Sequence, residues 1–284
     1  MKSLFIFFQH IAPQHLLSRL AGKLASASSP WLKNFMIKKF IKRYGVNMAE
    51  AIHSDAEDFA TFNEFFTRAL KPGARTIHQA EDTVVSPADG IISAAGDISG
   101  DQLFQAKGKN FSLTALLGGD SDAASPFLDG SFVTVYLSPK DYHRVHMPCA
   151  GTLKKMIYVP GKLFSVNQTT SERIDDLFAR NERAVCLFDT DAGPMAMILV
   201  GAMIVAGIET VWSGQVAPAP HGLSVSDYAN QHPAIQLAKG EEMGRFKLGS
   251  TVILLTGPGA VNWLQDVDEN FAVKMGEQIG EIKK

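Results

Sequence analysis

Apolar residues recur at helical spacing in the first part of the chain. Up to residue 46 they return every three or four positions, which predicts short amphipathic helices. Pro13 and the stretch 26–30 interrupt the pattern, so three helices are predicted there. The apolar side of the second consists of Leu16, Leu17, Leu20 and Leu24. That of the third consists of Trp31, Leu32, Phe35, Met36 and Phe40.

A fourth helix is predicted over Asp58–Leu70, and Pro72-Gly73 is expected to end it. Its apolar positions are filled by Phe59, Phe62, Phe65, Phe66 and Leu70. A stripe of phenylalanines at helical spacing is typical of a helix packed on a core. We therefore interpret it as core and not as a ligand pocket.

Beyond Arg75 the pattern changes to short apolar runs separated by turn-forming residues. The predicted strands are Thr83–Val85, Gly90–Ala94, Ser131–Leu137, Thr152–Val159, Ala184–Phe188, Met195–Val200, Met203–Ile208 and Thr251–Leu255. Strands do not alternate with long helices, which argues against a doubly wound sheet. The predicted fold class is α+β, with N-terminal helices followed by a β-rich sandwich or barrel-like catalytic core. The division is placed between a helical region, 1–75, and a β-rich domain, 76–284.

Bulk composition is that of a globular protein, with 46% hydrophobic and 20% charged residues. The longest apolar run, Pro194–Ile208, is shorter than the roughly 20 residues that cross a bilayer and contains glycines. Cys149 and Cys186 follow no metal-binding spacing and are too few for a secreted disulfide scaffold. They are expected to be reduced core residues of a cytosol-facing protein, and no metal site is predicted.

Charge is distributed unevenly along the chain. Residues 1–49 carry eight Lys or Arg and no Asp or Glu, while the remainder carries 19 basic and 29 acidic residues, a net −10. Helices with aromatic side chains on one side and lysines around them favour an interfacial position at an anionic membrane. Ordinary packing on the protein's own domain, nucleic-acid binding and a transit peptide remain alternatives for this segment.

The stretch Lys247–Thr251 contains a Gly-Ser bond at the entrance to a predicted strand. At such a bond the Ser250 hydroxyl can attack the Gly249 carbonyl, and the acyl group shifts from nitrogen to oxygen. The ester can then eliminate to dehydroalanine and yield a pyruvoyl group at a new N-terminus. Glycine favours this chemistry because it lets the nucleophile approach and tolerates a strained backbone. Taken alone, Gly-Ser is also a common turn.

Two further stretches change this picture. Ser86–Gly90 places Asp89 in a turn after a short strand, and Asp141–Pro148 contains two histidines three residues apart. Together with Leu248–Thr251 they resemble the phosphatidylserine decarboxylase family, in particular its bacterial membrane-associated branch. The resemblance covers roughly residues 50–265 and includes 65–75, 161–167 and 200–205.

The resemblance implies a triad of Asp89, His146 and Ser250 that activates Ser250 for self-cleavage, since a serine hydroxyl needs a base. It implies that His143 acts in the decarboxylation step. Each residue also has a structural interpretation. Asp89 would cap a turn, His146 would be a satisfied loop histidine, and His143 would pack under the loop with Tyr142.

The implied cofactor is pyruvate, present as a pyruvoyl group formed from Ser250. The implied reaction decarboxylates phosphatidylserine to phosphatidylethanolamine through a Schiff base, in which the imine accepts the electrons released with carbon dioxide. The large chain, 1–249, and the small chain, 250–284, would stay together as a heterodimer, and a dimer of such pairs is left open. The expected location is the cytoplasmic side of the cell membrane, bound peripherally, with no nucleic-acid partner.

The loop Gly161–Asn167 is expected to contact the substrate. Ser165 and Asn167 would bind the headgroup, and Phe164 would lie near the acyl region; the alternative is a hairpin with a buried Phe164. A serine hydrolase and a non-catalytic membrane-binding module are the competing functions. The Gly-x-Ser-x-Gly pattern that a hydrolase usually carries is absent. The intact mass of the protein distinguishes the self-cleaving enzyme from both alternatives, which predict one uncut chain.

Overall fold

Helices dominate the N-terminal part of the chain and strands the rest. The computed structural model describes residues 2–106, 108–204, 207–219, 222–249, 251–264 and 270–283. The three predicted N-terminal helices are confirmed as α1 Lys2–Ile11, α2 Gln14–Ala25 and α3 Pro30–Tyr44. Gly45 ends α3 in a left-handed conformation, with φ of 67°.

The predicted helix over 58–70 is wrong in its length. A 3-10 turn occupies Ala56–Asp58 and only Phe62–Phe66 forms a helix, α4. The chain is extended at Thr61, whose hydroxyl accepts from Glu64 N–H and starts α4. The core assignment of the stripe is confirmed, because all four phenylalanines are buried and pack against α3.

Within the described ranges the strands form four sheets. Their bounds are β1 Thr83–Val85, β2 Gly90–Asp97, β3 Gln102–Ala106, β4 Lys109–Ser112, β5 Ser131–Tyr136, β6 Arg144–His146, β7 Gly151–Val159, β8 Arg183–Thr190, β9 Gly193–Val200, β10 Gly207–Thr210, β11 Gly214–Ala217, β12 Ser224–Asp227, β13 Gln236–Leu237, β14 Glu242–Lys247, β15 Thr251–Thr256, β16 Val261–Trp263, β17 Phe271–Val273 and β18 Gln278–Ile282. The largest sheet has the order β12-β7-β8-β9-β15-β5-β2-β17, with β13 also paired to β7.

Strand β15 is central to this large sheet and begins directly after the Gly-Ser bond. It pairs antiparallel with β5 on one side and β9 on the other, along its whole length and without a register shift. All six of its residues are buried. Val252 and Leu254 enter one hydrophobic core, while Ile253 and Leu255 enter the core on the opposite face. Alternation of side chains across the pleat explains this division.

Two of the smaller sheets pack on one face of the large one, and the two-stranded sheet β3-β4 packs on the other. A four-stranded sheet has the order β11-β10-β14-β6 and a three-stranded sheet the order β1-β18-β16. In the described residues, four short α-helices lie between strands along the chain: α5 Leu113–Leu116, α6 Ser121–Ala124, α7 Gln168–Ser171 and α8 Leu177–Arg180. The α+β class with a sandwich-like core is confirmed, and the sheets do not close into a barrel in the part described.

One predicted strand needs correction. Residues 203 and 204 form a turn in which Ile204 has a φ of 71°, a left-handed conformation that does not extend a strand. Strand β10 begins only at Gly207, and residues 205 and 206 lie outside the described part. The prediction of two strands around a turn in the apolar run 194–208 is confirmed.

The N-terminal helices turn apolar side chains outward. Trp31 is 78% exposed and Leu4 73%. The other large apolar residues exposed on α1, α2 and α3 are Phe5, Phe7, Phe8, Ile11, Leu16, Leu20, Leu24, Phe35 and Tyr44. The side chains that α1 and α2 bury are instead mostly polar, namely Gln9, Gln14 and Ser18 besides Ala25. No helix in the described ranges has the length and apolar character that crossing a membrane requires.

Candidate active site

The Gly-Ser bond lies at the junction of two sheets. Strand β14 of the four-stranded sheet leads into a turn at Leu248 and Gly249, and the chain then enters β15. Leu248 and Gly249 both have left-handed φ values, 73° and 80°. Glycine adopts this conformation freely, whereas for leucine it costs on the order of 1–2 kcal/mol. The backbone is therefore held in a strained turn immediately before the predicted cleavage point. Ser250 itself lies outside the described residues.

His143 faces this turn. A Cβ atom built on Gly249 would lie 3.5 Å from His143 Nε2. The Nδ1–H of His143 donates to the Asp141 carbonyl at 2.8 Å, which leaves the Nε2 lone pair directed away from that bond. Nε2 is buried and has no partner among the described residues. The Phe66 ring packs against the imidazole with centroids 4.0 Å apart.

Burial keeps His143 neutral. Complete burial, with the positive charge of Arg68 as a second cause, lowers the pKa of His143 to about 3. The imidazole is therefore a proton acceptor at neutral pH. Arg68 is itself 95% buried and donates from Nη2 to the carbonyls of Lys140 and Asp141, at 3.0 and 3.2 Å.

His146 lies on β6 and uses both ring nitrogens in hydrogen bonds. Its Nδ1–H donates to the Gly240 carbonyl at 2.9 Å, and its Nε2 accepts from the Tyr142 hydroxyl at 3.0 Å. Because a carbonyl can only accept, the Gly240 contact fixes the neutral tautomer with the proton on Nδ1. Burial is the main cause that lowers the pKa of His146.

Asp89 is held by a buried arginine. Arg75 Nε donates to Asp89 Oδ1 at 2.9 Å, and the Met275 N–H donates to the same oxygen at 2.9 Å. Arg75 also binds Glu50 through Nη2 at 2.7 Å. Burial alone would lower the pKa of Arg75, but its hydrogen bonds to Asp89 and Glu50 outweigh this and raise it.

Of the predicted triad, the two members that the structure describes, Asp89 and His146, are therefore not hydrogen-bonded to each other. The Gly240 carbonyl takes the place at His146 Nδ1 that a triad carboxylate usually takes. Asp89 stays close through the backbone, since His146 N–H donates to the Pro87 carbonyl at 2.8 Å. Its negative charge also acts on His146 as a minor cause that raises the pKa of the imidazole.

A cavity of about 470 Å³ opens beside Gly249. Aromatic side chains from α3, α4 and β5 line part of it: Phe40, Tyr44, Phe66 and Tyr136. Two of the three predicted substrate residues, Ser165 and Asn167, also line it. Asn167 additionally caps α7 by accepting from the Thr170 N–H. Phe164 lies elsewhere, buried between the His10 ring and the Arg180 guanidinium.

Some contacts of the site could not be read from the sequence. Arg75 joins Glu50 and Asp89, which are 25 and 14 residues away, and no local pattern signals such a contact. Tyr142 was expected only as a packing partner of His143, yet its hydroxyl binds His146. A tyrosine four residues before a histidine on the same loop and strand is the only signal for that bond.

Comparison with known proteins agrees with the geometry of this region. A family model described as phosphatidylserine decarboxylase matches residues 62–281, and one described as PSD matches residues 4–45. A protein of Marinobacter nauticus named phosphatidylserine decarboxylase proenzyme is 59% identical over 280 residues, 98% of each chain. Proteins with the same name from Ectopseudomonas mendocina and Hahella chejuensis are 57% and 55% identical, over 98% of this chain and 97% and 94% of theirs. The chain belongs to the phosphatidylserine decarboxylase family, a family of carboxy-lyases.

Proposed function

We propose that this chain cuts itself between Gly249 and Ser250 and then decarboxylates phosphatidylserine to phosphatidylethanolamine. The observation that carries the proposal is the left-handed turn at Leu248 and Gly249, faced by His143 Nε2, which has no partner in the described part of the chain. The relatives' shared description as proenzymes supports a processing step.

The cleavage chemistry balances without an outside reagent other than water. Ser250 Oγ attacks the Gly249 carbonyl carbon, the C–N bond breaks and an ester forms. Loss of the Cα proton of residue 250 then breaks the Cβ–O bond, which releases Gly249 as a carboxylate and leaves dehydroalanine. Water replaces the nitrogen, so ammonia departs and a pyruvoyl group remains. Strain in the preceding turn favours the attack, because cutting the chain relieves it.

Within this proposal His146 and Asp89 activate Ser250. The tautomer fixed by Gly240 leaves His146 Nε2 as the basic nitrogen, and it becomes available to a serine hydroxyl when Tyr142 moves aside. Asp89 favours the protonated imidazole through its charge. Arg75 and the Met275 amide hold the carboxylate in place for this role.

His143 serves the decarboxylation step. The pyruvoyl group supplies an electron sink for the electron pair left by the departing carboxylate. The Nε2 of His143 lies beside Gly249, is buried and has no partner among the described residues. It suits a proton carrier at that position, since its lone pair is free and its burial keeps water away. Ser165 and Asn167 on the wall of the cavity are suited to hold the polar headgroup.

The outward apolar face of α1, α2 and α3 supports peripheral binding to the cytoplasmic side of the cell membrane. Leucines and aromatic residues that face solvent are unusual on a monomer unless another phase or partner covers them. The excess of eight basic residues in the same segment favours an anionic leaflet. The phosphatidylserine substrate resides in such a leaflet.

Intact mass of the purified protein tests self-cleavage. Wild type should give a chain of residues 1–249 and a small chain whose N-terminus is blocked, while Ser250→Ala should stay whole and inactive. The chain offers a matched control at Gly130-Ser131, the other Gly-Ser bond at the start of a strand. Ser131 Oγ bonds the Thr256 hydroxyl at 2.9 Å, and Gly130 is not left-handed. Ser131→Ala should therefore cleave normally at Gly249. An intact wild type with full decarboxylase activity would contradict the mechanism.

A further inference from the structure

Helices α1 and α2 bury polar side chains and expose apolar ones, the reverse of a helix that simply packs on a core. Gln9 is 1% exposed and Gln14 6%, although glutamine is usually found at the surface. A buried amide side chain must find hydrogen-bond partners. The hydrogen-bond partners of Gln9 and Gln14 indicate that the helices have a role in addition to membrane binding.

Both glutamines bind the backbone of the loop Gly161–Asn167. Gln14 Oε1 accepts from the Leu163 N–H at 2.7 Å, and Gln9 Oε1 accepts from the Ser165 N–H at 2.9 Å. His15 Nε2 lies 2.9 Å from the Gly161 carbonyl and donates to it. These contacts fall on every second residue of an extended segment, so the helices take the place of a neighbouring strand.

The glutamines are also joined to each other. Gln14 Nε2 donates to the Gln9 backbone carbonyl at 2.7 Å, which ties the end of α1 to the start of α2 across Pro13. A shift of one helix relative to the other would therefore move both acceptors. Loop and helices form one hydrogen-bonded unit.

The loop continues from these contacts directly into the cavity beside Gly249. Ser165, Val166 and Asn167 form part of its wall, and Ala202, Met203 and Ile204 form another part. The second wall is held by α2 as well, because Ser18 Oγ accepts from the Ile204 N–H at 3.1 Å. The helices that face the membrane thus contact both of these loops through their inner sides.

We propose that Gln9 and Gln14 are positioning residues that transmit the placement of α1 and α2 to the substrate cavity. Membrane binding then holds the helices, the helices hold the loop, and the cavity is formed best on the membrane surface. The proposal rests on the proposed function, since it takes the cavity beside Gly249 as the substrate site. It assigns the polar side of the helices a part in substrate binding, separate from the apolar side that contacts lipid.

Methionine at either position tests this, because it keeps the length and apolar volume of glutamine but removes the acceptor. Gln9→Met and Gln14→Met should cleave completely and sediment with phosphatidylglycerol/phosphatidylcholine vesicles as wild type does. Their KM for phosphatidylserine in detergent micelles should rise about tenfold, with kcat within about twofold, because a misplaced wall weakens binding and leaves the reacting groups in place. Gln79→Met, the same substitution at an exposed glutamine, serves as the control.

Hydrogen exchange supplies a readout that does not depend on activity. Adding the same vesicles to wild type should slow amide exchange in peptides covering 161–167, and the two methionine variants should lose this protection. Unchanged KM and unchanged exchange in both variants would overturn the proposal. So would loss of self-cleavage in both, because the glutamines would then serve the fold as a whole. An inactive or uncleaved wild type would instead count against the proposed function, while the exchange experiment would still decide this inference.

Discussion

His143 and His146 stand three residues apart, and their surroundings give them different chemistry. His143 faces Gly249 with a nitrogen that no described residue binds, whereas His146 has both nitrogens bonded. The spacing of the two histidines was visible in the sequence. Their partners were not, since Gly240 is 94 residues from His146 along the chain.

Substitution of these residues should separate the two reactions. His146→Ala and Asp89→Ala should lower the cleaved fraction at least tenfold, roughly, because parts of a catalytic unit fail together. His143→Ala should cleave but decarboxylate poorly. Intact mass and carbon dioxide release measure the two steps in one preparation. Normal processing in all three variants would remove the assignments, and uncut His143→Ala would transfer the role of base to His143.

The neutral state of His143 predicts a pH dependence of stability. Its pKa is about 3 in the folded protein and near 6.5 when unfolded, so below pH ~6.5 the unfolded chain binds more protons. The stability that the protein gains from burying a neutral His143 is fully present above pH ~6.5 and is lost progressively as the pH falls toward 3. The thermal midpoint should drop between pH ~7 and ~5, and His143→Gln should show a smaller drop. Equal drops in wild type and variant would show that His143 is protonated more easily than its burial implies.

At the scale of elements, strands were predicted better than the helix over 58–70. Val252 to Leu255 are uniformly apolar and β-branched or leucine, which marks a strand buried on both faces. The phenylalanines of 59–66 share helical spacing, yet an extended Thr61 separates them. Periodicity detects which side chains are buried but not whether the backbone between them is continuous.

The N-terminal helices show a second limit of periodicity. The leucine stripe of α2 was found correctly, but a stripe alone does not say whether it faces the core or the solvent. The backbone N–H groups that bind Gln9, Gln14 and Ser18 decide the orientation, and they lie more than 140 residues away. No local sequence pattern signals hydrogen bonds between residues so far apart in the chain.

Exposure of this stripe predicts membrane binding that depends on both lipid charge and salt. The full-length protein should bind vesicles containing phosphatidylglycerol more tightly than neutral vesicles, and binding should weaken as salt rises. Leu16→Ala with Leu20→Ala should reduce sedimentation on both kinds of vesicle, because the apolar contact is lost. Lys71→Ala, a basic residue outside the helices, is the control. Equal sedimentation of the double variant and wild type would return the helices to ordinary packing.

Across the whole molecule, the described residues after the proposed cleavage point are distributed through two sheets. Strand β15 lies in the middle of the large sheet, β17 pairs with β2 at its edge, and β16 and β18 belong to the sheet that contains β1. The sequence predicted that the small chain would stay together with the large one. The additional pairings of β17 and β18 were beyond prediction, because β17 has only three residues and Gly280 and Glu281 interrupt the apolar residues of β18.

The central position of β15 also implies that folding precedes the proposed cleavage. In the proposed order of events the pairings of β15 form while residues 249 and 250 are still joined, since the left-handed turn at Leu248 and Gly249 connects β14 and β15 and needs both strands in their sheets. A chain that has folded once and cut itself keeps its structure through non-covalent contacts alone. If it is later unfolded, its two pieces must meet again from solution, so a search within one molecule becomes a second-order encounter that dilution slows. The cut in the backbone would persist after unfolding, so the first folding of the chain and any later refolding would follow different kinetics.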